Sequence, residues 1–404
     1  MRILCLIDNL ASGGAQRQLV TLARLLSQGG DEVAVATYYP HEFFRKELEA
    51  NGIPHHLLHV PNKVMRIAAF WRFVRKQNPD VVLAFLPTPS ILAELAALPV
   101  RRFGVVVSER NAPVNVSAAK QLPRLLLHAV ADAVVSNSHT NRLMVEQAAP
   151  WLKGKIRTVY NTVDLTHFRP TRLPSEHTLR LVGVGRFAPQ KNIPALLVGL
   201  SEVLRRGRHT NLHLDWYGDS FKDKEGCLTS ASGEYAKVAG LIEELNLSEH
   251  VALHEPVEDI RSVYQGASAL ILPSIFEGLP NVVCEAMACG RPILATDTCD
   301  HSNLVTHGEN GFLIPGFEPE AIASSIEKLG ACSSTERQRM GEESRRRAEA
   351  LFSAGPFLKR YREILESSAN RTAPQPGHWP EEVPQSALNM LGRIQRAKTV
   401  TRTQ

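Results

Sequence analysis

The segment PSIFEGLPNVVCEAMACG, residues 273–290, carries two carboxylates in an otherwise nearly apolar stretch. Glu277 and Glu285 are separated by seven residues, among them a Gly and a Pro. Buried carboxylates are costly unless something pairs with them, so this pattern indicates that both have partners. A carboxylate can accept two hydrogen bonds and therefore suits a vicinal diol. The alternative is a capping glutamate beside a surface glutamate.

A strand, a turn and a helix are predicted around these carboxylates. ASALILPS is typical of a buried strand, and Pro280 indicates that a helix begins near Asn281. Glu277 and Gly278 then lie in the turn, and Glu285 lies one turn into the helix. Because the first backbone amides of a helix suit a phosphate, the segment could hold the two sugars of a nucleotide sugar on either side of its phosphates.

A second group of candidate residues lies in VGVGRFAPQKNIPALL, where a predicted strand ends and Arg186 follows directly. Lys191 comes just before the next predicted helix. Two cations at the carboxyl end of a strand can clamp a diphosphate and neutralise it as a leaving group. The alternative is two solvated surface charges.

A glycine pair follows the first predicted strand, in IDNLASGGAQRQL. Gly13 and Gly14 would let the backbone approach a ligand, and the helix that begins there again suits a phosphate. The pattern is not G-x-G-x-x-G, so a dinucleotide site is not supported. The glycines could also serve only to start the helix.

Polar residues also follow the strand in VVVSERNAPVN. Glu109, Arg110 and Asn111 come at the strand end that usually faces a ligand cleft, and an acceptor-side role is predicted for Glu109 and Arg110. A salt-bridged loop is the open alternative. The histidines show no metal-ligand spacing and no D-x-D pair is present, so neither a metal ion nor an organic cofactor is expected.

Charge is uneven along the chain. Residues 1–170 contain 20 Lys and Arg against 12 Asp and Glu. The basic, aromatic stretch from Lys63 to Lys76 could lie on an anionic membrane, or it could be a packed helix with a basic outer face. A phosphorylated substrate would also fit the charge, as would an ordinary surface asymmetry. Nucleic acid is not expected, because no recognition motif is present.

The whole chain alternates between short apolar runs and amphipathic segments. At 404 residues it predicts two α/β domains, each a doubly wound, Rossmann-like parallel sheet, facing a cleft between them. The expected boundaries are 1–170 for an acceptor-side domain, 171–350 for a nucleotide-sugar domain, 351–369 for a C-terminal helix and 370–404 for a flexible tail.

Cellular location is predicted from three observations. No uninterrupted apolar stretch of about 20 residues is present, so no membrane-spanning helix is expected. The N-terminal MRILCLIDNL is typical of a buried strand rather than a signal peptide. The six cysteines are scattered and form no C-x-x-C pair, which favours reduced thiols. We expect a cytoplasmic protein. It would be peripheral on the inner face of the membrane if the basic stretch binds there.

At these residues the sequence resembles the retaining glycosyltransferases of family 4, which have the two-domain GT-B fold. The resemblance covers about residues 1–366, and its most specific part is Glu277-x7-Glu285. It implies that Glu285 holds the nucleotide ribose, that Glu277 holds donor-sugar hydroxyls, and that Arg186 and Lys191 bind the diphosphate. It also implies that the last helices pack back on the first domain. VYNTVDLTHFRP resembles the crossover segment of the family.

Two departures from the family pattern are present. Where the family commonly has a Gly pair and then a Glu, this chain has Cys299, Asp300 and Asn303. Where many members carry a His in the first domain, this chain reads SERN, which is similar to relatives that build bacterial surface polysaccharides. The second departure favours a polysaccharide or lipid-linked oligosaccharide acceptor.

The implied reaction moves a hexosyl or N-acetylhexosaminyl group from a nucleoside diphosphate sugar to an acceptor hydroxyl. A same-face route, in which the leaving phosphate takes the acceptor proton, fits better than double displacement, because no carboxylate can be placed for the latter. Two alternatives stay open: a nucleotide-sugar epimerase of similar fold, and a non-catalytic subunit that binds sugar nucleotides.

Overall fold

The computed structural model describes residues 1–110, 118–174, 178–207, 211–222, 228–230 and 232–371. Asn111 and nearly all of the tail predicted over 370–404 lie outside these ranges. The described chain divides into two compact units. The first comprises Met1–Thr162 and the segment that begins at Ala354, and the second comprises Val163–Ser353. The division therefore falls earlier than the boundary predicted at residue 170.

The first unit is a parallel sheet with strand order β3-β2-β1-β4-β5-β6-β7. Its strands are β1 (Arg2–Leu6), β2 (Glu32–Thr37), β3 (His55–Leu57), β4 (Val81–Phe85), β5 (Gly104–Glu109), β6 (Ala133–Ser136) and β7 (Ile156–Thr158). Its helices before the crossover are α1 (Gly14–Gln28), α2 (Arg45–Ala50), α3 (Lys63–Gln77), α4 (Pro87–Ala96), α5 (Ala118–Leu127) and α6 (His139–Ala148).

The second unit is a parallel sheet with strand order β12-β9-β8-β13-β14-β15, plus a two-stranded hairpin, β10-β11. Its strands are β8 (Leu179–Val184), β9 (Leu212–Tyr217), β10 (Phe221–Lys222), β11 (Leu228–Thr229), β12 (Val251–His254), β13 (Ala269–Leu272), β14 (Ile293–Thr296) and β15 (Gly311–Ile314). Its helices are α7 (Ile193–Arg205), α8 (Glu234–Glu244), α9 (Ile260–Gly266), α10 (Asn281–Ala288), α11 (His301–Leu304), α12 (Pro319–Ala331) and α13 (Ser334–Phe352).

The last described helix, α14 (Ala354–Asn370), belongs to the first unit. Phe357, Tyr361 and Leu365 are buried in the same apolar core as strand β1 and helix α1. A side chain at Gly104 would collide with the backbone of Ser368, so only glycine lets α14 approach β5 this closely. The apolar face of the helix thus closes one side of the first sheet.

The predicted alternation of strands and helices is confirmed, and so is the fold class of two Rossmann-like α/β units. Sequence reasoning missed the short strands β3, β10, β11 and β15. Strand β3 has three residues and begins His-His, β10 and β11 have two residues each, and β15 has four residues and begins with Gly. Such short runs carry too little alternation to signal a strand. Among the described residues, no helix combines the length and apolarity needed to cross a bilayer.

Candidate active site

Glu277 and Glu285 follow the central strand β13 of the second unit. The strand is fully buried, the chain turns after it, and α10 begins at Asn281 directly after Pro280, as predicted. Gly278 and Asn281 are half-buried on this turn. Both carboxylates are buried, with 9% and 7% of the residue surface of Glu277 and Glu285 exposed, so each must have polar partners.

Glu277 is paired with Lys191. The Lys191 ammonium donates to Oε1 of Glu277 at 2.5 Å, and the Ser274 hydroxyl donates to the same oxygen at 2.7 Å. Lys191 reaches this position across Gly185, where a Cβ atom would lie 2.7 Å from its Cε. The pair comes together because β8 and β13 are neighbours in the sheet, so the segments that follow them share one edge.

Glu285 has a partner that sequence reasoning missed. The Tyr264 hydroxyl donates to Oε2 of Glu285 at 3.1 Å. Tyr264 lies on α9 and is fully buried. A tyrosine in a short amphipathic helix carries no sequence signal that distinguishes it from a core residue, so only the packing of α9 against α10 identifies this contact.

Arg186 is exposed at the end of β8, and among the described residues no carboxylate pairs with it. It therefore differs from Lys191, whose charge is already balanced by Glu277. Gly14 lies in the other unit, as the first residue of α1, and is exposed. The predicted donor residues other than Gly14 thus all lie in the second unit, around the turns after β8 and β13.

The segment that departs from the family pattern is bonded to the turn that holds Glu277. The Thr298 hydroxyl donates to the Ile275 carbonyl at 3.2 Å, and the backbone amide of Glu277 donates to Sγ of Cys299 at 3.1 Å. Cys299 has a φ of 52°, a conformation that favours glycine. Burial raises the pKa of its thiol to about 12, so the sulfur is a protonated packing group rather than a nucleophile.

Two family models match consecutive parts of the chain. The model "Glycosyltransferase Family 4" matches residues 12–167, and the model "Glycosyl transferases group 1" matches residues 167–347. The first matched range contains the glycine pair Gly13-Gly14, and the second contains the carboxylate motif Glu277-x7-Glu285. The chain belongs to the family 4 glycosyltransferases. The resemblance to that family in sequence is therefore confirmed.

Similar proteins carry related names. EpsD, a putative glycosyltransferase of Bacillus subtilis, is 27% identical over 62% of this glycosyltransferase and 67% of its own length. Exopolysaccharide phosphotransferase SCO2592 of Streptomyces coelicolor is 24% identical over 74% of this chain but only 30% of its own length. A D-inositol 3-phosphate glycosyltransferase of Rhodococcus erythropolis is 26% identical over 64% of this chain and 59% of its own length. This chain thus spans less than two thirds of the length of several relatives.

Solved structures share the fold. Anabaena Alr3699/HepE in complex with UDP has a TM-score of 0.77 at 19% identity, over 91% of this chain and 100% of that one. Its complex with UDP-glucose has a TM-score of 0.76 at 20% identity, over the same shares. At such low identities the likeness shows the GT-B fold.

In the first unit of this glycosyltransferase, Glu109 and Arg110 are buried and internally bonded. Glu109 accepts from the Arg124 guanidinium and lies 2.9 Å from Nε2 of His128. Arg110 bonds to Asn161, and its guanidinium lies 4.6 Å from the centre of the Phe85 ring. Their acceptor-side role stays a prediction, while the contacts of Glu109 with Arg124 and His128 match the salt-bridged alternative.

His128 bridges two buried carboxylates, Glu109 and Glu94, with its Nδ1 2.5 Å from Glu94. Burial alone would lower the pKa of His128, but its hydrogen bonds to Glu109 and Glu94 outweigh that effect and raise the pKa to about 9. The imidazole is therefore a buried cation at neutral pH, placed between two carboxyl groups.

The raised pKa of His128 predicts a pH-dependent stability. Because the folded value of about 9 exceeds the ordinary value of 6.5, the stabilisation is complete below pH 6.5 and is lost as pH rises through 9. The free energy of unfolding of the first unit should fall by up to about 3 kcal/mol over that range. Urea titrations at several pH values would show this fall in the free energy of unfolding of the wild type. The same pH dependence in His128→Gln would contradict the assignment to His128.

Proposed function

We propose that this glycosyltransferase moves a sugar from a nucleoside diphosphate sugar to an acceptor hydroxyl with retention of configuration. The observation that carries the proposal is the Lys191–Glu277 pair, which lies at the start of α10 in the same unit as Glu285. Cation, carboxylates and helix N-terminus meet at the carboxyl edge of one parallel sheet, where such folds bind ligands.

Each group in this edge suits one part of a nucleotide sugar. Glu285, held by Tyr264, can accept hydrogen bonds from the ribose hydroxyls. Both bonds that Glu277 accepts from described residues go to Oε1, which leaves Oε2 for a hydroxyl of the donor sugar. The backbone amides of α10 and the exposed Arg186 suit the diphosphate. The structural neighbours solved with UDP and UDP-glucose support this class of donor.

The proposed chemistry uses these groups to stabilise the departing diphosphate. As the bond from the anomeric carbon to the phosphate oxygen breaks, negative charge grows on that oxygen, and Arg186 and Lys191 meet it. The acceptor oxygen attacks from the same face, and its proton passes to the leaving phosphate. The new glycosidic bond then has the configuration of the old one. The cations take the role that a metal ion would otherwise have, so no metal is proposed.

The acceptor that we propose is a growing polysaccharide or a lipid-linked oligosaccharide, and the sugar is a hexose or an N-acetylhexosamine. The name of one relative, the exopolysaccharide phosphotransferase SCO2592 of Streptomyces coelicolor, supports a role in exopolysaccharide chemistry.

A donor screen tests the proposal. The protein is heated with UDP, GDP, ADP and dTDP sugars, and a sugar nucleotide that binds the folded state raises the melting temperature. The selected donor is then incubated with and without an oligosaccharide acceptor. Release of nucleoside diphosphate that depends on the acceptor supports transfer. An epimerised donor would indicate an epimerase, and binding without turnover would indicate a non-catalytic subunit.

Replacing Glu285 with Ala is expected to weaken donor binding about 10- to 100-fold with little loss of fold. A hydrogen bond to a charged group is worth roughly 1.5–3 kcal/mol, which corresponds to that range. Calorimetric titration with the selected donor gives the dissociation constant. Glu243→Ala, which removes an exposed carboxylate of the same unit, is the control. Equal affinity in the two variants would remove Glu285 from the site.

We propose a peripheral position at an anionic membrane, through the outer face of α3. The aromatic residues of this helix lie inward or half-buried, and Arg66 is buried against Tyr38, so only part of the predicted basic stretch is available. Arg72 and Lys76 are exposed on one face of it. Each cation near such a surface contributes about 1 kcal/mol, and salt screens it.

Replacing Arg72 and Lys76 with Gln is expected to weaken binding to anionic vesicles about 10-fold or more at low salt. The replaced charges supply the attraction, so donor affinity should not change. Vesicle co-sedimentation over a salt series measures the effect, with Arg339→Gln and Arg346→Gln, two exposed cations of the second unit, as the control. A wild type that ignores anionic vesicles at low salt would point to a soluble acceptor.

A further inference from the structure

His301 is a fully buried histidine in the segment that departs from the family pattern. Its Nδ1 lies 2.8 Å from the backbone carbonyl oxygen of Thr296, the last residue of β14. A carbonyl oxygen only accepts, so Nδ1 carries the proton. Burial lowers the pKa of His301, and the ring is therefore neutral at neutral pH with its lone pair on Nε2.

That second nitrogen is a buried acceptor without a hydrogen-bond donor among the described residues. Within the described parts of the chain, no donor lies within hydrogen-bond distance of Nε2 of His301. Oδ1 of Asp297, at the same strand end, is also buried without a partner among those residues. An unsatisfied buried polar group costs about 1–3 kcal/mol, so native proteins rarely keep one unless a ligand or water completes it.

The segment that carries His301 is tied to the turn that carries Glu277. The Thr296 hydroxyl donates to the Ser274 carbonyl at 2.5 Å, and Cys299 accepts from the backbone amide of Glu277. The charges of Glu277 and Lys191 are also near enough to act on the His301 ring. His301 thus belongs to the surroundings of the proposed donor-sugar carboxylate.

We infer that His301 is a specificity-determining residue of the donor site, whose Nε2 accepts a hydrogen bond from one hydroxyl of the donor sugar. The inference rests on the proposed function. A neutral acceptor fixed by a backbone bond selects a hydroxyl at one position and orientation. A site built in this way discriminates strongly against an analogue that lacks the hydroxyl, because its buried acceptor is then left unpaired.

Two variants separate this role from packing. In His301→Asn the shorter amide can still donate to the Thr296 carbonyl, while the acceptor at the position of Nε2 is lost. In His301→Gln the longer amide can place an oxygen near that position. Both are compared with the wild type by melting temperature, by affinity for the free nucleoside diphosphate, and by kcat/KM. The substrates are the donor selected by the screen and its monodeoxy sugar analogues.

The wild type should use one monodeoxy analogue about 10-fold less well than the parent donor. His301→Asn should lose about the same factor with the parent donor, treat parent and analogue alike, and bind the free nucleoside diphosphate as the wild type does. His301→Gln should recover part of the discrimination between the parent donor and this analogue. If the His301→Asn protein does not fold, His301→Gln replaces it as the test variant.

Two results would overturn the inference. One is that the ratio of kcat/KM for the parent donor to kcat/KM for each monodeoxy analogue is the same in the wild type and in both variants. The other is a loss of free nucleoside diphosphate affinity as large as the loss for the donor, which would assign His301 to packing or to a bound water. If no nucleotide sugar binds the wild type, the proposed function fails, and this is seen before any variant is made.

Discussion

Replacing Lys191 with Ala is expected to lower kcat about 10²- to 10³-fold, the size seen when one group that stabilises developing charge is removed. The donor dissociation constant should change far less. The reason is that Lys191 is proposed to meet charge that grows only as the diphosphate departs, so its loss is felt in the transition state. Steady-state kinetics with the donor selected by the screen, together with equilibrium binding, separates the two quantities.

The control for this change is Lys237→Ala. Lys237 and Glu234 form a second Lys–Glu pair of the same unit, with 2.6 Å between Nζ and Oε1, but 71% of the Lys237 side chain is exposed against 13% for Lys191. The Lys237→Ala variant should leave kcat unchanged. Because Lys191→Ala also leaves Glu277 buried without its cation, Lys191→Ala combined with Glu277→Gln shows whether the loss persists when that charge is removed.

A rise in KM without a fall in kcat would show that Lys191 only anchors the donor.

The proposed role of Arg186 and Lys191 makes activity independent of a metal ion, because these two cations supply the positive charge at the diphosphate. Turnover in excess chelator should therefore equal turnover without it. Activity that disappears with the chelator and returns with a divalent cation would contradict the assignment.

Replacing Arg291 with Met is expected to lower the free energy of unfolding of the second unit by about 3–5 kcal/mol. Arg291 is fully buried, and its partners among the described residues are carbonyl and hydroxyl groups: Nε donates to the carbonyl of Cys289, Nη1 to that of Ala267 at 3.0 Å, and Nη2 to Thr171. Burial lowers the pKa of this guanidinium to about 10. Met keeps much of the volume but leaves the buried carbonyl oxygens of Cys289 and Ala267 without these donors, each costing about 1–3 kcal/mol.

Chemical denaturation followed by tryptophan fluorescence measures this loss, since Trp216 lies in the core of the second unit. Arg346→Met is the matched control, because 68% of that side chain is exposed and its pairing with Glu343 is a surface contact. It should change stability by less than about 1 kcal/mol. Similar denaturation midpoints for the two variants would mean that the chain around Thr171 does not depend on Arg291.

Much of this glycosyltransferase is determined by local sequence. Apolar runs of four to six residues separated by amphipathic segments predict parallel sheets, because only a strand buried on both faces can be apolar throughout. The turn with Glu277, the start of α10 after Pro280 and the place of Glu285 follow from the same reasoning. In each case the deciding interactions lie within a few residues along the chain.

Contacts between distant segments were decided by the tertiary structure. Lys191 is separated from Glu277 by 86 positions, and Glu109 from His128 by 19, so only the order of strands in each sheet brings them together. The same holds for the burial of Arg110 and for Nε2 of His301, which has no partner within the described ranges. Residue type and spacing determine which groups a strand end presents. Which of them neutralise one another, and which are left for a ligand, depends on the partners that packing supplies.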